Sequence, residues 1–532
     1  MQDEVELNAV AFAAQAASKS NEEPNTIEEA LSRPDKSLWQ DAIDKELKSL
    51  GQNHTWDETS RPSNRNIVGS KWVFKIKRKS DGSIDRYKAR LVAQGFSQLP
   101  GHDFDETFAP VARYDSLRIL LRIASQNKWI PQQMDVNSAY LYGTLKETIY
   151  MELTPGFRTS EKCALLRKCI YGLKQSGREW HTCISTSLQQ KGFEITTFDP
   201  CIFVHPTENA YVAVYVDDML IFGPDNLFRK NLKSSIGKDF DCKDLGNAYY
   251  ILGLEIKLLE AGIRISQQGY SKKVLSRFGF ENAHKIGTPL DPSVTLCIGC
   301  EEDHIANVKE YQAIVGSLMY LVIGSRPDLA FTVTLLSQFS SCPNESHLKA
   351  AKRTLRYLAG TFDWDLFYPF ESSKFLEVYA DASYANDPYT RKSTSGYIIR
   401  FGNAAISWNS KQQRSVALST TEAEYMAMSL AARQLTWTKF GLEQLRQNYE
   451  TFLYTDNNGA QELARNPRIH NRSKHIDIHY HYVREKYNEG DFDLLYVKSA
   501  NNLADLMTKG LVKNAHHKLA NHIRCAKRGE VS

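Results

Sequence analysis

Apolar positions follow two rhythms along the 532 residues, and each change of rhythm marks a boundary. From Thr26 the rhythm is helical: Thr26 with Glu29 has the form of a capping box, and Leu38, Trp39, Ile43, Leu47 and Leu50 recur at the spacing that lines one face of a helix. Residues 68 to 95 switch to alternation, with Trp72, Phe74 and Ile76 interleaved with basic side chains and Ser80-Asp81-Gly82-Ser83 as the expected hairpin turn. An apolar strand ending in Asp135 follows, and then residues 210–216 and 219–222, rich in Val, Tyr, Ile and Phe, read as two short strands joined by a tight turn carrying Asp217 and Asp218. Helical segments at 115–126 and 176–191 are expected to flank them, giving antiparallel strands backed by helices.

Residues 257–300 are less regular, and 307–362 are mostly helical, with the basic amphipathic run HLKAAKRTLRYLAGT ending at Gly360. From Leu376 the pattern reads as a strand ending at Asp381, a meander, a long helix capped by Ser419 or Thr420 with Glu424 near its start, a strand closed by Asp456, and a helix-like segment carrying Asp505. Residues 1–25 keep no period and read as disordered or as the remnant of an upstream junction.

The length predicts two to four domains, and the 42 % hydrophobic content is that of a soluble globular protein. Neither Ala9–Ala17 nor Gly316–Gly324 is long enough to span a bilayer, so no membrane partner is expected. Nine scattered cysteines suit a reducing, intracellular compartment. Cys297 and Cys300 form a lone CxxC near His304 with no second pair, which favours a loop or buried thiols over zinc. The net charge of +4 is unevenly spread: residues 1–60 hold 13 acids against 5 bases, whereas Lys71, Lys75, Lys77, Arg78, Lys79, Arg86, Lys88 and Arg90 crowd one hairpin beside Asp81 and Asp85. Such a cluster is the electrostatic footprint of a phosphate-binding surface, or else a solvated hairpin face.

Two adjacent aspartates in an apolar hairpin are costly to bury without a cation, and Asp135 on a separate strand can converge with them on a metal. The ordered segments GSKWVFKIKRK, RYKARLVAQGF, DFDETFAPVARYDSLR, QMDVNSAYLYG, YGLKQSGREW, YVDDML and YILGLEI resemble the reverse transcriptase of copia-type long-terminal-repeat retrotransposons. Further on, ADAS, AEYMA, TDN and LADLMTK resemble the motifs of the ribonuclease H fold. The resemblance covers roughly residues 26–515. It implies an α+β multidomain chain in which a right-hand polymerase of fingers, palm and thumb is joined by a helical connector to an α/β ribonuclease H-like domain. The boundaries expected are 26–65 for an N-terminal helical segment, 66–256 for fingers and palm, 257–300 for the thumb, 301–370 for the connector, 371–512 for the ribonuclease H-like domain and 513–532 for a basic tail.

The same resemblance implies the site residues. Asp135, Asp217 and Asp218 would hold two Mg²⁺ ions, with Mn²⁺ as a substitute, and Asp381, Glu424, Asp456 and Asp505 would hold a second pair. Glu422 competes with Glu424, which is preferred for the Met426-Ala427 that follows it. Tyr140 would lie under the incoming sugar, Gln175 would contact the nucleotide, and Arg78 with Lys88 or Arg90 would grip the triphosphate. Leu252, Gly253, Leu254 and Glu255 resemble the primer grip.

One departure stands out: no His occupies Tyr496–Asn502 before the last aspartate, and His470, His475, His479 and His481 lie upstream, where a structural or substrate-contacting role is expected. The implied activity is RNA- and DNA-directed DNA synthesis with degradation of the RNA strand of the hybrid. The implied partners are an RNA template, a DNA primer, RNA/DNA hybrid and dNTPs, together with integrase and the Gag particle of the same element. A cytoplasmic virus-like particle or the nucleus would be the location. With no Gag, protease or integrase pattern present, a processed product or a truncated copy is expected. Each acid also has a plainer reading as a turn former or helix-dipole partner. The rival for the whole chain is a decayed or domesticated copy that binds nucleic acid without turnover.

Overall fold

Alternation in the basic segment produces the antiparallel pair Ser70–Arg78 and Ile84–Ala93, in register from Ser70 opposite Ala93 to Lys77 opposite Arg86. Its apolar face receives the helix Lys36–Gln52, whose buried Trp39 meets Phe74 and Tyr87 edge-on at 5.3 and 4.6 Å. Thr26 caps the preceding helix Ile27–Ser32 by accepting from the Glu29 N–H. The computed structural model describes residues 23–78, 83–153, 161–296, 306–466, 478–523 and 525–526. Most of the predicted turn at 80–83, nearly all of the 1–25 segment, and Cys297, Cys300 and His304 fall outside these. The chain forms two compact units, one built from 23–112 and 132–246 and the other from 113–131 and 247–526 among the described residues.

In the first unit a six-stranded sheet places Gln132–Val136 beside Asp218–Phe222, which pairs with Tyr211–Tyr215 and onward to Ile202–Val204. The helix Ser176–Gln190 lays Trp180, Ile184 and Leu188 into the same core as Met134, Val212, Val214, Met219 and Ile221. A four-stranded sheet runs through Trp56–Ser60, Lys162–Leu166, Tyr150–Met151 and Ile67–Val68.

The second unit carries two five-stranded sheets. One joins Tyr250–Ile251, Leu254–Leu259, Gly262–Ser266, Asp365–Pro369 and Cys525–Ala526. Two sequence expectations change here. Residues 257–278, expected to be irregular, form strands and the helix Gln268–Phe278. Residues 513–526, expected as a basic tail, form the helix Lys513–His522 and a closing strand, because His516, Leu519, Ile523 and Cys525 are buried.

The helix Tyr114–Gln126, expected beside the aspartate strands, belongs to this second unit. Its Arg118 donates to the carbonyls of Ile323, Gly324 and Ile406, and Arg122 to those of Pro369, Phe401 and Gly402. Buried guanidiniums need such acceptors, and the apolar pattern of the helix did not reveal where they lie.

The helix Glu345–Thr361 is more buried than its basic sequence suggests. Lys352 pairs with Glu310, Arg353 with Asp291, and Arg356 donates to the His284 carbonyl.

The second sheet runs in the order Ala404–Gln412, Thr394–Phe401, Phe375–Ser383, Glu450–Thr455, Asp493–Tyr496, its first three strands antiparallel and its last pairings parallel. The long helix Thr420–Gln444 covers it, its Ser419 cap accepting from the Glu422 N–H. No helix among the described residues is long and apolar enough to cross a membrane.

Candidate active sites

Asp135 and Asp218 stand directly opposite each other across adjacent strands, and Asp217 occupies the two-residue turn that begins at Val216. Val216 sits at a φ of 53°, a region a β-branched residue rarely enters. Its carbonyl accepts from the Trp180 indole N–H at 2.6 Å, and the Asp217 carbonyl accepts from the Val136 N–H at 2.8 Å. The turn is thus pinned from two sides, and strain of this kind persists where surroundings over-determine it. Burial, and then the charge of Asp217, raise the Asp135 carboxyl above its usual range. Burial likewise carries Asp218 up to about 6, although Gln133 donates to its Oδ1 at 2.9 Å. A bound cation would relieve the burial and like charge that raise Asp135 and Asp218.

On the basic hairpin, strand alternation puts Lys75, Lys77, Arg86, Lys88 and Arg90 on one face and Trp72, Phe74, Ile76, Tyr87, Ala89 and Leu91 on the other. The Arg90 guanidinium lies 3.9 Å from Asp217, and Lys88, drawn down to about 8 by burial and by Arg90, also senses that aspartate. Alternation puts Arg78 with Trp72, Phe74 and Ile76 rather than with Lys75 and Lys77, and beyond an irregularity in the pairing it stands opposite Ile84, its charge felt by Tyr87. Lys77 is the residue whose charge reaches Asp218. Gln175 stands at the start of the Ser176–Gln190 helix without a side-chain capping bond, and its side chain is buried, accepting from Gln98 Nε2 at 3.0 Å and donating to the Asp103 carbonyl at 2.8 Å. Reaching a nucleotide would require those bonds to break.

Tyr140 lies on the 3₁₀ turn Ala139–Tyr142, half-buried, with its ring edge-on to Tyr171 at 4.6 Å. Tyr171 was not singled out from sequence; it is one aromatic among many, and only the fold brings it against Tyr140 and Arg90. In the second unit, Leu252 and Gly253 form a tight hairpin with φ of 52° and 80°, as a two-residue turn requires. A Cβ on Gly253 would lie 1.7 Å from the Tyr320 hydroxyl oxygen. The Leu252 carbonyl accepts from Tyr114 and Tyr320, and Glu255, just beyond Leu254, accepts from the Gly269 N–H at 2.6 Å. This motif is thus a braced hairpin whose acid caps the neighbouring helix.

The C-terminal acids converge. Asp381 on the central strand, Asp456 after Glu450–Thr455 and Asp505 on the 3₁₀ turn Leu503–Met507 bring carboxylate oxygens within 4.8 Å of one another. Glu424 joins them electrostatically: burial, then Asp381 and Asp456, push it up to about 9, and its buried Oε2 has no hydrogen-bond partner. Glu422, the rival, turns away, its carboxylate accepting from the Leu418 N–H at 2.7 Å. Burial and Asp381 carry Asp505 up to about 7. Asn502 anchors the last segment by donating to the Ala380 carbonyl, in the loop where no His was found. Among the upstream histidines, His481 bonds the Tyr425 hydroxyl at 3.1 Å, a structural contact. His470 and His475, and the His479 side chain, lie outside the described residues.

Lys509 was missed although it stands one turn beyond Asp505 in LADLMTK. Its ammonium lies 3.1 Å from Asp381 Oδ1 and 2.7 Å from Asp505 Oδ1, and Thr508 donates to Asp381 Oδ2. Among the described residues, the cluster therefore holds one internal cation, Lys509, against four acids. In EDTA, Lys509→Met is expected to lower the unfolding midpoint by about 2–8 °C. A broken buried pair costs ~3–5 kcal/mol, reduced to about 1–2 because the lysine side chain is 35 % exposed. An unchanged midpoint would mean that protons, not Lys509, discharge the acids.

Residues 53–292 match the family model described as reverse transcriptase (RNA-dependent DNA polymerase). The chain is 39 % identical over 94 % of its length to the retrovirus-related Pol polyprotein from transposon RE1 of Arabidopsis thaliana, and 38 % identical over 92 % to that from transposon TNT 1-94 of Nicotiana tabacum. It spans 34 % and 38 % of those two relatives. Among solved structures, the foamy viral protease-reverse transcriptase in complex with RNA/DNA hybrid has a similar fold, with a TM-score of 0.50 at 13 % identity over 87 % of this chain and 54 % of that one. With its aspartates set on adjacent strands inside the matched residues 53–292, the chain carries the reverse transcriptase region, and over nearly all its length it is similar to the retrovirus-related Pol polyproteins of copia-type transposons.

Proposed function

We propose that this chain polymerises DNA on RNA and DNA templates and, at a separate site, cleaves the RNA strand of the resulting hybrid. The observation that carries the reading is the pair of carboxylate clusters, one in each compact unit, each built from several elements and each raised in pKa by crowding and burial. Both sets of side chains offer oxygen donors, as Mg²⁺ or Mn²⁺ prefers, and at the C-terminal one Asp381, Asp456 and Asp505 lie within reach of a single ion while the buried Glu424 Oε2 has no hydrogen-bond partner. Bound in pairs, such ions activate the attacking hydroxyl and neutralise the leaving group.

In the polymerase, Asp135, Asp217 and Asp218 would hold the ions while the hairpin cations Lys77, Lys88 and Arg90 draw in the triphosphate. Tyr140 would sit beneath the sugar. In the nuclease, Asp381, Glu424, Asp456 and Asp505 would hold the ions, and Lys509 would fix Asp381 and Asp505 in place. The partners are an RNA template, a DNA primer, dNTPs and the hybrid, with integrase and the Gag particle of the element alongside, in a virus-like particle or the nucleus.

Primer extension on an RNA template with Mg²⁺, run beside cleavage of a preformed hybrid, tests the reading. A folded chain that does neither would be a decayed, non-enzymatic copy. Tyr140→Ala is expected to raise ribonucleotide over deoxyribonucleotide incorporation, because a ring that clashes with a 2′-hydroxyl selects by exclusion. A tenfold shift in the kcat/KM ratio would correspond to about 1.4 kcal/mol. An unchanged ratio in an active variant would make Tyr140 a packing residue.

A further inference from the structure

Tyr171 touches both groups assigned to the incoming nucleotide. Its ring meets the Tyr140 ring at 4.6 Å and 65°, an edge-to-face contact. The Arg90 guanidinium lies over the same ring, 4.1 Å from its centroid, and Arg90 Nη2 donates to the Tyr171 hydroxyl at 3.0 Å. Arg90 is thereby held 3.9 Å from Asp217, within ion-pair range but beyond a direct hydrogen bond.

The backbone beneath this ring has little freedom. The Tyr171 carbonyl accepts from the Ala93 N–H at 2.8 Å. Gly172, at a φ of 96°, abuts the same strand so closely that a Cβ would lie 2.1 Å from the Ala93 carbonyl oxygen. A Cβ on Gly95 would likewise lie 2.1 Å from the Gly172 carbonyl oxygen. The loop is therefore locked to the strand that carries Arg90, and burial keeps the Tyr171 phenol protonated by raising its pKa.

We propose that Tyr171 is a positioning residue that sets Tyr140 and Arg90 in one geometry, coupling the choice of sugar to the grip on the triphosphate. The proposal rests on the polymerase reading above. Its ring braces the sugar guard, and its hydroxyl and ring face together hold the guanidinium off Asp217.

The two functions separate by substitution in the full chain. Tyr171→Phe keeps the ring and loses the hydroxyl: KM for a deoxyribonucleotide should rise about three- to tenfold, with kcat and the ribo-to-deoxy kcat/KM ratio little changed. Tyr171→Leu loses the ring as well, and the ratio should move about tenfold toward ribonucleotides, in the direction expected for Tyr140→Ala. A residue that merely fills space would lower the unfolding midpoint and move neither quantity selectively.

Wild-type KM in Tyr171→Phe, or a wild-type ratio in an active Tyr171→Leu, would overturn the proposal. Should Tyr171→Leu fail to fold, the KM of Tyr171→Phe decides. If Tyr140→Ala alone leaves the ratio unchanged, the sugar-guard reading fails and takes the Tyr140 half of the proposal with it, while a raised KM in Tyr171→Phe upholds the Arg90 half. A chain that extends no primer in unaltered form overturns the polymerase reading itself.

Discussion

Asp217→Asn is expected to abolish primer extension, by on the order of 10³-fold or more, and to leave cleavage of a preformed RNA/DNA hybrid intact. The substitution preserves size and removes one charge from a turn fixed through its backbone, by Trp180 on the Val216 carbonyl and by Val136 on the Asp217 carbonyl. The local fold should therefore survive. What changes is the cation site: Asp135 and Asp218 both lose a like-charged neighbour and their carboxyls fall toward ordinary values. Arg90 loses the negative charge 3.9 Å from its guanidinium at the same time but keeps its contacts with Tyr171. Because Asp381, Glu424, Asp456 and Asp505 all belong to the other compact unit, cleavage reports whether the protein is folded. Extension that persisted in this variant would remove Asp217 from the reaction.

Where the acids lie was legible because strand and helix ends show in the pattern. A doubled aspartate between runs such as AYVAVY and MLIFG marks a hairpin turn, and Asp381, Glu424, Asp456 and Asp505 stand at element ends that periodicity exposes. Alternation in the hairpin also predicted its buried face correctly. Arg78 follows the same rhythm: it lies two residues beyond Ile76 and so falls on the side of Trp72 and Phe74, and it was the family resemblance, not the alternation, that grouped it with Lys88 and Arg90.

Gln175 shows a second limit. A sequence places a residue at a helix start but says nothing of the Gln98 and Asp103 partners that the fold folds onto its amide. Long-range pairing hid the rest: Cys525–Ala526 joins a sheet with strands more than 150 residues earlier in the chain, and the buried arginines of Tyr114–Gln126 find carbonyls equally remote in sequence. Lys509 could have been found, since a lysine four residues after an acid on a helical turn shares its face. Tyr171 could not, because nothing in YGLKQSG distinguishes a ring that braces other groups from one that fills a core.

The second large effect belongs to Asp456→Asn, where activity and stability should move in opposite directions. Asp456 raises the pKa of Asp381, Glu424 and Asp505, so the four acids are mutually repulsive in the metal-free fold. Neutralising it should stop hybrid cleavage, again by on the order of 10³-fold, since a metal ligand is lost, while single-nucleotide extension is spared. The same change should raise the unfolding midpoint measured in EDTA, because one like charge is gone from the cluster. The pH dependence fixes the sign. Glu424 at about 9 and Asp505 at about 7 are raised above their unfolded values, so their contribution favours the fold below about pH 4 and is lost as pH climbs through those folded values. The metal-free midpoint should therefore decline between about pH 4 and 9, less steeply in Asp456→Asn than in the parent chain. Cleavage that survived neutralisation of both Asp456 and Glu424 would place the nuclease site elsewhere. A midpoint that fell in the single variant would show that Asp456 stabilises the fold, and that its companions are not held together against repulsion as the crowded, buried carboxylates imply.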